Sequence, residues 1–292
     1  MEVWSLKGLN SGAIARDARK RRIGVFDSGV GGLTVLRELY RQLPNESLLY
    51  LADTARLPYG TRSPEEIIQF SREILSWMQS QGVKMVVMAC NTSSALALDV
   101  VRHEFEMPIL GLILPAARVA VERGSRIGVI ATPITAASDA YRQAMLEIEP
   151  TVQVWQMGCP EFVPIIEQGR LYEPETQAVA QQYLAPLLEQ QIDTLVYGCT
   201  HYPHLARTIE PLLPEGVVTL DPAVHVVAAA AQELELLNLK HFDAPQPTQF
   251  CVTGDADRFA TLATRWLGCA PLVEQVALLE CDRVSDCTAV RS

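Results

Sequence analysis

The chain has 292 residues, 49% hydrophobic and 20% charged, enough for two domains of ordinary size with a core each. Its formal net charge of −10 excludes nucleic acid as the principal partner, because phosphate binding needs a basic footprint. No apolar run approaches the roughly 20 residues of a membrane-spanning helix, so no membrane association is expected.

The seven cysteines are scattered, odd in number and without CxxC spacing, and no export signal precedes them. They read as reduced thiols of a cytoplasmic protein. Cys281 and Cys287 have no second pair at ligand spacing, so no metal is expected either.

Residues 1–21 show no periodicity and carry a basic cluster at their end, formed by Arg16, Arg19, Lys20, Arg21 and the adjoining Arg22. Such a segment is either a disordered extension or a contact for an anionic metabolite, and its composition favours disorder. It is no signal peptide, because an aspartate and four glycines in the following IGVFDSGVGG break any apolar region. Short apolar runs then predict strands at Ile23–Phe26, Leu48–Ala52, Met85–Ala89, Ile109–Ile113, Ile127–Ile130, Val152–Gln156, Leu195–Tyr197, Val217–Leu220 and Phe250–Thr253. Helical spacing fills Pro64–Gln81, Glu175–Gln190 and Ala223–Lys240. Ser63, Pro64 and Glu66 make a capping box with proline at the first helical position, and Asp221 before Pro222 reads as another N-cap. The tail beyond Leu267 carries little motif content. This alternation predicts an α/β fold of open, mostly parallel sheets flanked by helices.

The chain also repeats itself. RIGVFDSG begins at Arg22 and RIGVIATP at Arg126, 104 residues later. VVMACNTS places Cys90 after one apolar strand, and TLVYGCTHYP places Cys199 after another, 109 residues later. Similar offsets in two unrelated motifs indicate a duplicated α/β unit, hence two pseudo-symmetric domains. The long helical segment after Asp221 is expected to return the chain to the first of them. That gives a discontinuous first domain, residues 22–115 plus 226–292, around a second of residues 116–225.

Ligands of open parallel sheets sit beyond the carboxyl ends of the strands. Asp27, Asp53, Cys90 and Cys199 all follow predicted strands there. In DSGVGG, Gly29, Gly31 and Gly32 make a tight turn that either brings backbone close to a ligand or is only structural. The dinucleotide fingerprint needs a glycine where Thr34 stands, which disfavours nicotinamide binding. Cys90 precedes the small polar Asn91, Thr92 and Ser93 at a strand-to-helix junction, where free N–H groups favour a carboxylate and a thiolate.

Taken alone, Cys90 reads more readily as a small buried hydrophobe. Its recurrence as Cys199, followed by Thr200 and His201, reverses that balance. Two thiols at equivalent places can take a proton from one face of a carbon and return one to the other. His201 can hold or exchange a proton near neutrality, whereas His204 reads as a capping or solvated residue. Tyr59 in the PYG turn is expected to be exposed near the same rim. Cys159, Cys251, Cys269, Cys281 and Cys287 read as structural.

The segments IGVFDSGVGGLTVL, LADTARLPYGTRS, ACNTSSA, IGVIATP, EFVPIIEQGRL and GCTHYPHL resemble the glutamate racemase family, cofactor-independent enzymes that make D-glutamate for bacterial peptidoglycan. The resemblance spans about residues 23–260. It implies two α/β domains with the active site in the cleft between them, glutamate as substrate, no cofactor, and a homodimer. By position it implies Cys90 and Cys199 as the catalytic acid/bases, with Asp27 assisting the first, His201 the second, and Glu167 in an accessory role. Substrate contacts would come from Asp27, Ser28, Tyr59, Gly60, Asn91, Thr92, Thr200 and His201. Aspartate racemases are less similar, since they usually place a glutamate where this chain has His201. The residues themselves do not separate glutamate from aspartate, because no arginine lies in the motifs to mark a side-chain carboxylate.

Pyridoxal phosphate, the usual electron sink for racemisation, needs a Schiff-base lysine. The four lysines, Lys7, Lys20, Lys84 and Lys240, all lie outside the motifs, so a cofactor-free route fits better. Two other classes stay open. A cysteine hydrolase or lyase would use Cys199 and His201 but have no need of Cys90. A binding module would hold an amino acid without exchanging its α-proton.

Overall fold

The computed structural model describes residues 18–278. Strands β1 (Ile23–Asp27), β2 (Leu48–Ala52), β3 (Met85–Met88) and β4 (Ile109–Gly111) alternate with helices α1 (Leu33–Gln42), α2 (Pro64–Ser80), α3 (Asn91–Leu96) and α4 (Leu98–Val101). A second series comprises α5 (Ile113–Arg123), β5 (Arg126–Ala131), α6 (Pro133–Ala137), α7 (Ala140–Ile148), β6 (Gln153–Gly158), α8 (Phe162–Gln168), α9 (Pro174–Glu189), β7 (Thr194–Gly198), α10 (Ala206–Ile209) and β8 (Val218–Leu220). It is followed by α11 (Pro222–Leu236), β9 (Gln249–Val252), α12 (Ala256–Leu267) and β10 (Val273–Gln275).

All pairings are parallel, in two sheets ordered β10-β9-β2-β1-β3-β4 and β6-β5-β7-β8. The order β2-β1-β3-β4 recurs as β6-β5-β7-β8, so the repeat in sequence is a repeat of topology. In each sheet the chain runs outward on one side of the first strand and then crosses to the other. The reversal opens a crevice between β1 and β3, and between β5 and β7, at their carboxyl ends. Cys90 follows β3 and Cys199 follows β7, so each thiol stands at a switch point.

Strand alternation divides each sheet between two apolar layers. Ile23, Val25, Tyr50, Met85 and Val87 face one layer of the first sheet, and Phe26, Leu49, Leu51, Val86 and Met88 face the other. Ile127 and Val129 face one layer of the second, with Ile130, Leu195 and Tyr197 on the opposite side. Helix α11 leaves the second sheet yet buries Val226, Val227, Ala230 and Leu234, at helical spacing, in the first domain's core beside Leu36 and Leu39 of α1. Trp266 of α12 packs against cores of both domains.

Several expected bounds shift. The capping box is formed as predicted, with Ser63 Oγ accepting from Glu66 N at 3.2 Å and Glu66 Oε2 from Ser63 N at 2.9 Å. Helix α11 stops at Leu236, short of the predicted Lys240. Asn238 adopts the left-handed region at φ 56°, and Leu239 N returns to Leu234 O at 2.8 Å, a helix-ending turn that glycine usually marks. Strand β4 ends at Gly111 because α5 begins at Ile113. The tail read as featureless contributes β10, whose Val273, Glu274 and Gln275 show no apolar run.

Of the N-terminal extension, residues 1–17 lie outside the described residues, as do Cys281 and Cys287. Its last residues are anchored: Arg19 Nε donates to Asn238 O at 3.0 Å, and Lys84, paired with buried Glu46, donates to Arg19 O at 2.7 Å.

Candidate active site

A cleft of about 830 Å³ lies between the domains. It brings together every residue that the family resemblance nominated: Asp27, Ser28, Tyr59, Gly60, Cys90, Asn91 and Thr92 from the first domain, and Glu167, Cys199, Thr200 and His201 from the second. No described lysine lines it.

Asp27 ends β1 and is 1% exposed. Its Oδ2 accepts from Gly32 N at 2.9 Å and Gly29 N at 3.1 Å, while Oδ1 is buried without a partner among the described residues. Burial raises its carboxyl above the ordinary range, opposed by the nearby His201 and the N–H groups of the turn. Cys90 is also buried. Its thiol is pushed up to about 12, by desolvation first and by Asp27 second, and is therefore held neutral.

The second thiol has a different neighbour. Cys199 Sγ lies 3.8 Å from His201 Nδ1, and His201 Nε2 lies 3.6 Å from Glu167 Oε1. The latter separation is that of a charge pair rather than a hydrogen bond, and among the described residues Nε2 has no hydrogen-bond partner. Burial works to lower the imidazole's pKa, but Cys199, Glu167 and Asp27 outweigh it and lift the group to about 10. Near neutrality it is an imidazolium.

The domains meet through these same segments. A Cβ at Gly31 would collide with the His201 ring and lie 2.7 Å from Thr200 Oγ1. The glycine turn therefore admits the other domain's histidine. Thr34 Oγ1 reaches Thr200 O at 3.3 Å. Thr92 Oγ1 meets Thr132 at 3.2 Å and Thr135 at 3.0 Å, and Tyr141 of α7 donates to Asn91 Oδ1 at 2.5 Å.

Two sequence expectations fail here. Tyr59 lines the cleft but is 2% exposed instead of open at the rim. Its ring packs on Phe70, with centroids 5.7 Å apart, and its hydroxyl donates to Asp53, which also pairs with Arg56 at 2.7 Å. His204 neither caps nor faces solvent freely. It stacks on Trp266 with ring centroids 3.6 Å apart, and burial lowers its pKa to about 3, with His201 adding to the effect. Asp53, at the end of β2, is a buried hub outside the cleft lining.

Other residues were missed. Thr132 lines the cleft, and the 104-residue offset sets it against Ser28, so the repeat read position by position would have found it. Cys159, read as structural, lines the cleft from the end of β6, with its Sγ 3.6 Å from Met157 O. Among the described residues Arg258 of α12 is the only lysine or arginine lining the cleft, and no sequence motif pointed to it.

A cleft with one thiol from each half of a duplicated α/β fold fits a class: the racemases, isomerases that exchange a proton at carbon. The comparisons place the chain within it. The family model for Asp/Glu/Hydantoin racemases matches residues 23–234. The glutamate racemase of Gloeothece citriformis is 65% identical over 263 residues, 90% of this chain and 95% of that one. The crystal structure of glutamate racemase isoform RacE1 from Bacillus anthracis superposes with a TM-score of 0.86 at 36% identity, covering 89% of this chain and 98% of the other. That of the Francisella tularensis glutamate racemase in complex with D-glutamate gives 0.84 at 33%, covering 89% and 98%. The chain belongs to the Asp/Glu/Hydantoin racemase family and, within it, to the glutamate racemases.

Proposed function

We propose that this chain interconverts L- and D-glutamate by cofactor-independent, two-base proton transfer at Cα, supplying D-glutamate for peptidoglycan synthesis. The observation that carries this reading is the pair Cys90 and Cys199, at equivalent strand ends of two domains, lining one cleft. The α-proton of an amino acid is very weakly acidic, so the barrier is mostly that of forming a carbanion. A thiol, with an unperturbed pKa of about 8.5, can act on either side of neutrality as acid or base.

Cys90, held as the neutral thiol by burial and Asp27, is the donor of the resting pair. Cys199, with an imidazolium at 3.8 Å, takes the part of base. Proton removal by one and delivery by the other inverts Cα, and the pair then runs in reverse on the opposite enantiomer. Asp27 Oδ1 would receive the substrate ammonium. Asn91 Nδ2 and the hydroxyls of Thr92 and Thr200 would hold the α-carboxylate as charge builds on it. Ser28, Tyr59 and Gly60 complete the substrate contacts, and Glu167 steadies His201.

In heavy water, D-glutamate formed from L-glutamate is expected to carry deuterium at Cα. Cys90→Ala and Cys199→Ala are each expected to lose turnover by roughly 10²- to 10⁴-fold or more. Near-native turnover in either variant rejects the two-thiol assignment, and binding without deuterium exchange rejects catalysis. Racemisation of aspartate at a matching rate would reject glutamate specificity. With this reading we propose a cytoplasmic homodimer, divided into domains at about residues 115 and 226. A monomer by light scattering under assay conditions would reject the dimer.

A further inference from the structure

We propose that Tyr141 is a positioning residue for this reaction: its hydroxyl reaches across from the second domain and turns the Asn91 amide so that Nδ2 faces the bound carboxylate. The inference rests on the proposed racemase reading and deepens it. Asn91 directly follows Cys90, is 3% exposed and lines the cleft. An asparagine amide has an acceptor on one side and donors on the other, and rotation by half a turn exchanges them at little cost. Something must choose between the two orientations, because only the donor side suits an anion.

The Tyr141 hydroxyl makes that choice. The tyrosine is fully buried on α7, and its hydroxyl lies 2.5 Å from Asn91 Oδ1. Burial, with Cys199 and Asp221 nearby, keeps the phenol protonated, so it has a proton to give. Among the described residues no other acceptor competes for it. In the flipped orientation the hydroxyl would accept from the amide and leave its own proton without a partner.

The second observation is that Asn91 Nδ2 is buried and, among the described residues, has no hydrogen-bond partner. Buried donors are rarely left so, and one on a residue that lines the cleft calls for an acceptor brought by a ligand. Since the two residues belong to different domains, the donor is aimed only when the domains stand in this arrangement.

A double-mutant cycle of Tyr141→Phe and Asn91→Ala tests this, read in kcat/KM for glutamate and in the Kd of D-glutamate by titration calorimetry. The phenylalanine keeps the ring and its packing. Tyr141→Phe alone is expected to lower kcat/KM about 10- to 100-fold, a part of what an oriented donor contributes. In the Asn91→Ala background the same change is expected to cost less than twofold, because there is no amide left to orient. Equal losses in both backgrounds mean a structural role and overturn the proposal, as does a Tyr141→Phe enzyme within twofold of wild type. Asn91→Asp guards against a folding defect: it keeps the Tyr141 bond, replaces the donor by an acceptor, and is expected to bind as weakly as Asn91→Ala. Native binding by this variant overturns the proposal too. A wild type that binds D-glutamate without racemising it refutes the catalytic reading instead, and the cycle in Kd still judges Tyr141.

Discussion

Burial alone would strip the proton from His201, which is 3% exposed, yet contacts with Cys199, Glu167 and Asp27 carry its pKa from 6.5 to about 10. A folded pKa above the unfolded one means that these contacts stabilise fully below about 6.5. They are lost as pH rises through about 10. The activity of the wild type is therefore expected to fall on a basic limb near pH 10, as the imidazolium beside Cys199 disappears. His201→Asn removes the titrating group, so its profile of kcat from pH 7 to 11 should lack that limb and sit roughly 10²- to 10⁴-fold lower. A limb that persists unchanged in the variant belongs to another group, and the assignment of His201 fails. The identity of this residue was legible from GCTHYP, but its protonation was not. That depends on Glu167 and Asp27, which are 34 and 174 residues away in sequence.

Single elements were legible wherever their signal was local. The capping box at Ser63 and the Asp221–Pro222 start of α11 needed only neighbouring residues. The end of α11 was hidden because Asn238 does the work of a glycine, and β10 because a short, half-exposed edge strand needs no apolar alternation. Tyr59 was misplaced for a related reason: a PYG turn says nothing of Asp53 and Phe70, which bury it.

The start of α11 also carries a measurable strain. Asp221 Oδ1 caps Ala223 N at 2.9 Å, but burial raises its carboxyl from 3.8 to about 6. A raised carboxyl binds its proton more tightly in the folded state, so stability falls as pH rises from about 4 to 6 and stays reduced above that. Asparagine caps as well as aspartate and carries no charge. Asp221→Asn should therefore raise stability at pH 8 and leave it nearly unchanged at pH 4. The shift corresponds to about 3 kcal/mol at about 1.4 kcal/mol per unit, an upper bound because the residue is only partly buried by its accessible area. Urea unfolding at the two pH values reads the difference, and an equal change at both would mean that the charge is not responsible.

At the scale of the whole molecule, duplication put one switch point on each side of a cleft, and the neighbours of the two thiols then diverged. The repeat itself was readable from offsets of 104 and 109 residues, but the wall contributed by α12 was not, because that helix comes from outside the duplicated unit. Its Arg258 bears on how substrate arrives. The chain's net charge of −10 repels an anionic amino acid, and the cleft lining holds the carboxyl groups of Asp27, Glu167 and Asp255. Arg258 is exposed and, among the described residues, makes no ion pair and is the only lysine or arginine lining the cleft. It supplies a local attraction against a repulsive whole, which acts on capture more than on chemistry. Arg258→Ala is expected to raise KM for glutamate about 3- to 10-fold with kcat nearly unchanged, and Arg258→Glu to raise it further. The gap should narrow between 0.1 M and 1 M salt, as the screening length falls from about 10 Å to about 3 Å. A KM difference indifferent to salt would mean that Arg258 touches the bound substrate rather than steering it. An unaltered KM in the glutamate variant would leave the rim without an electrostatic role.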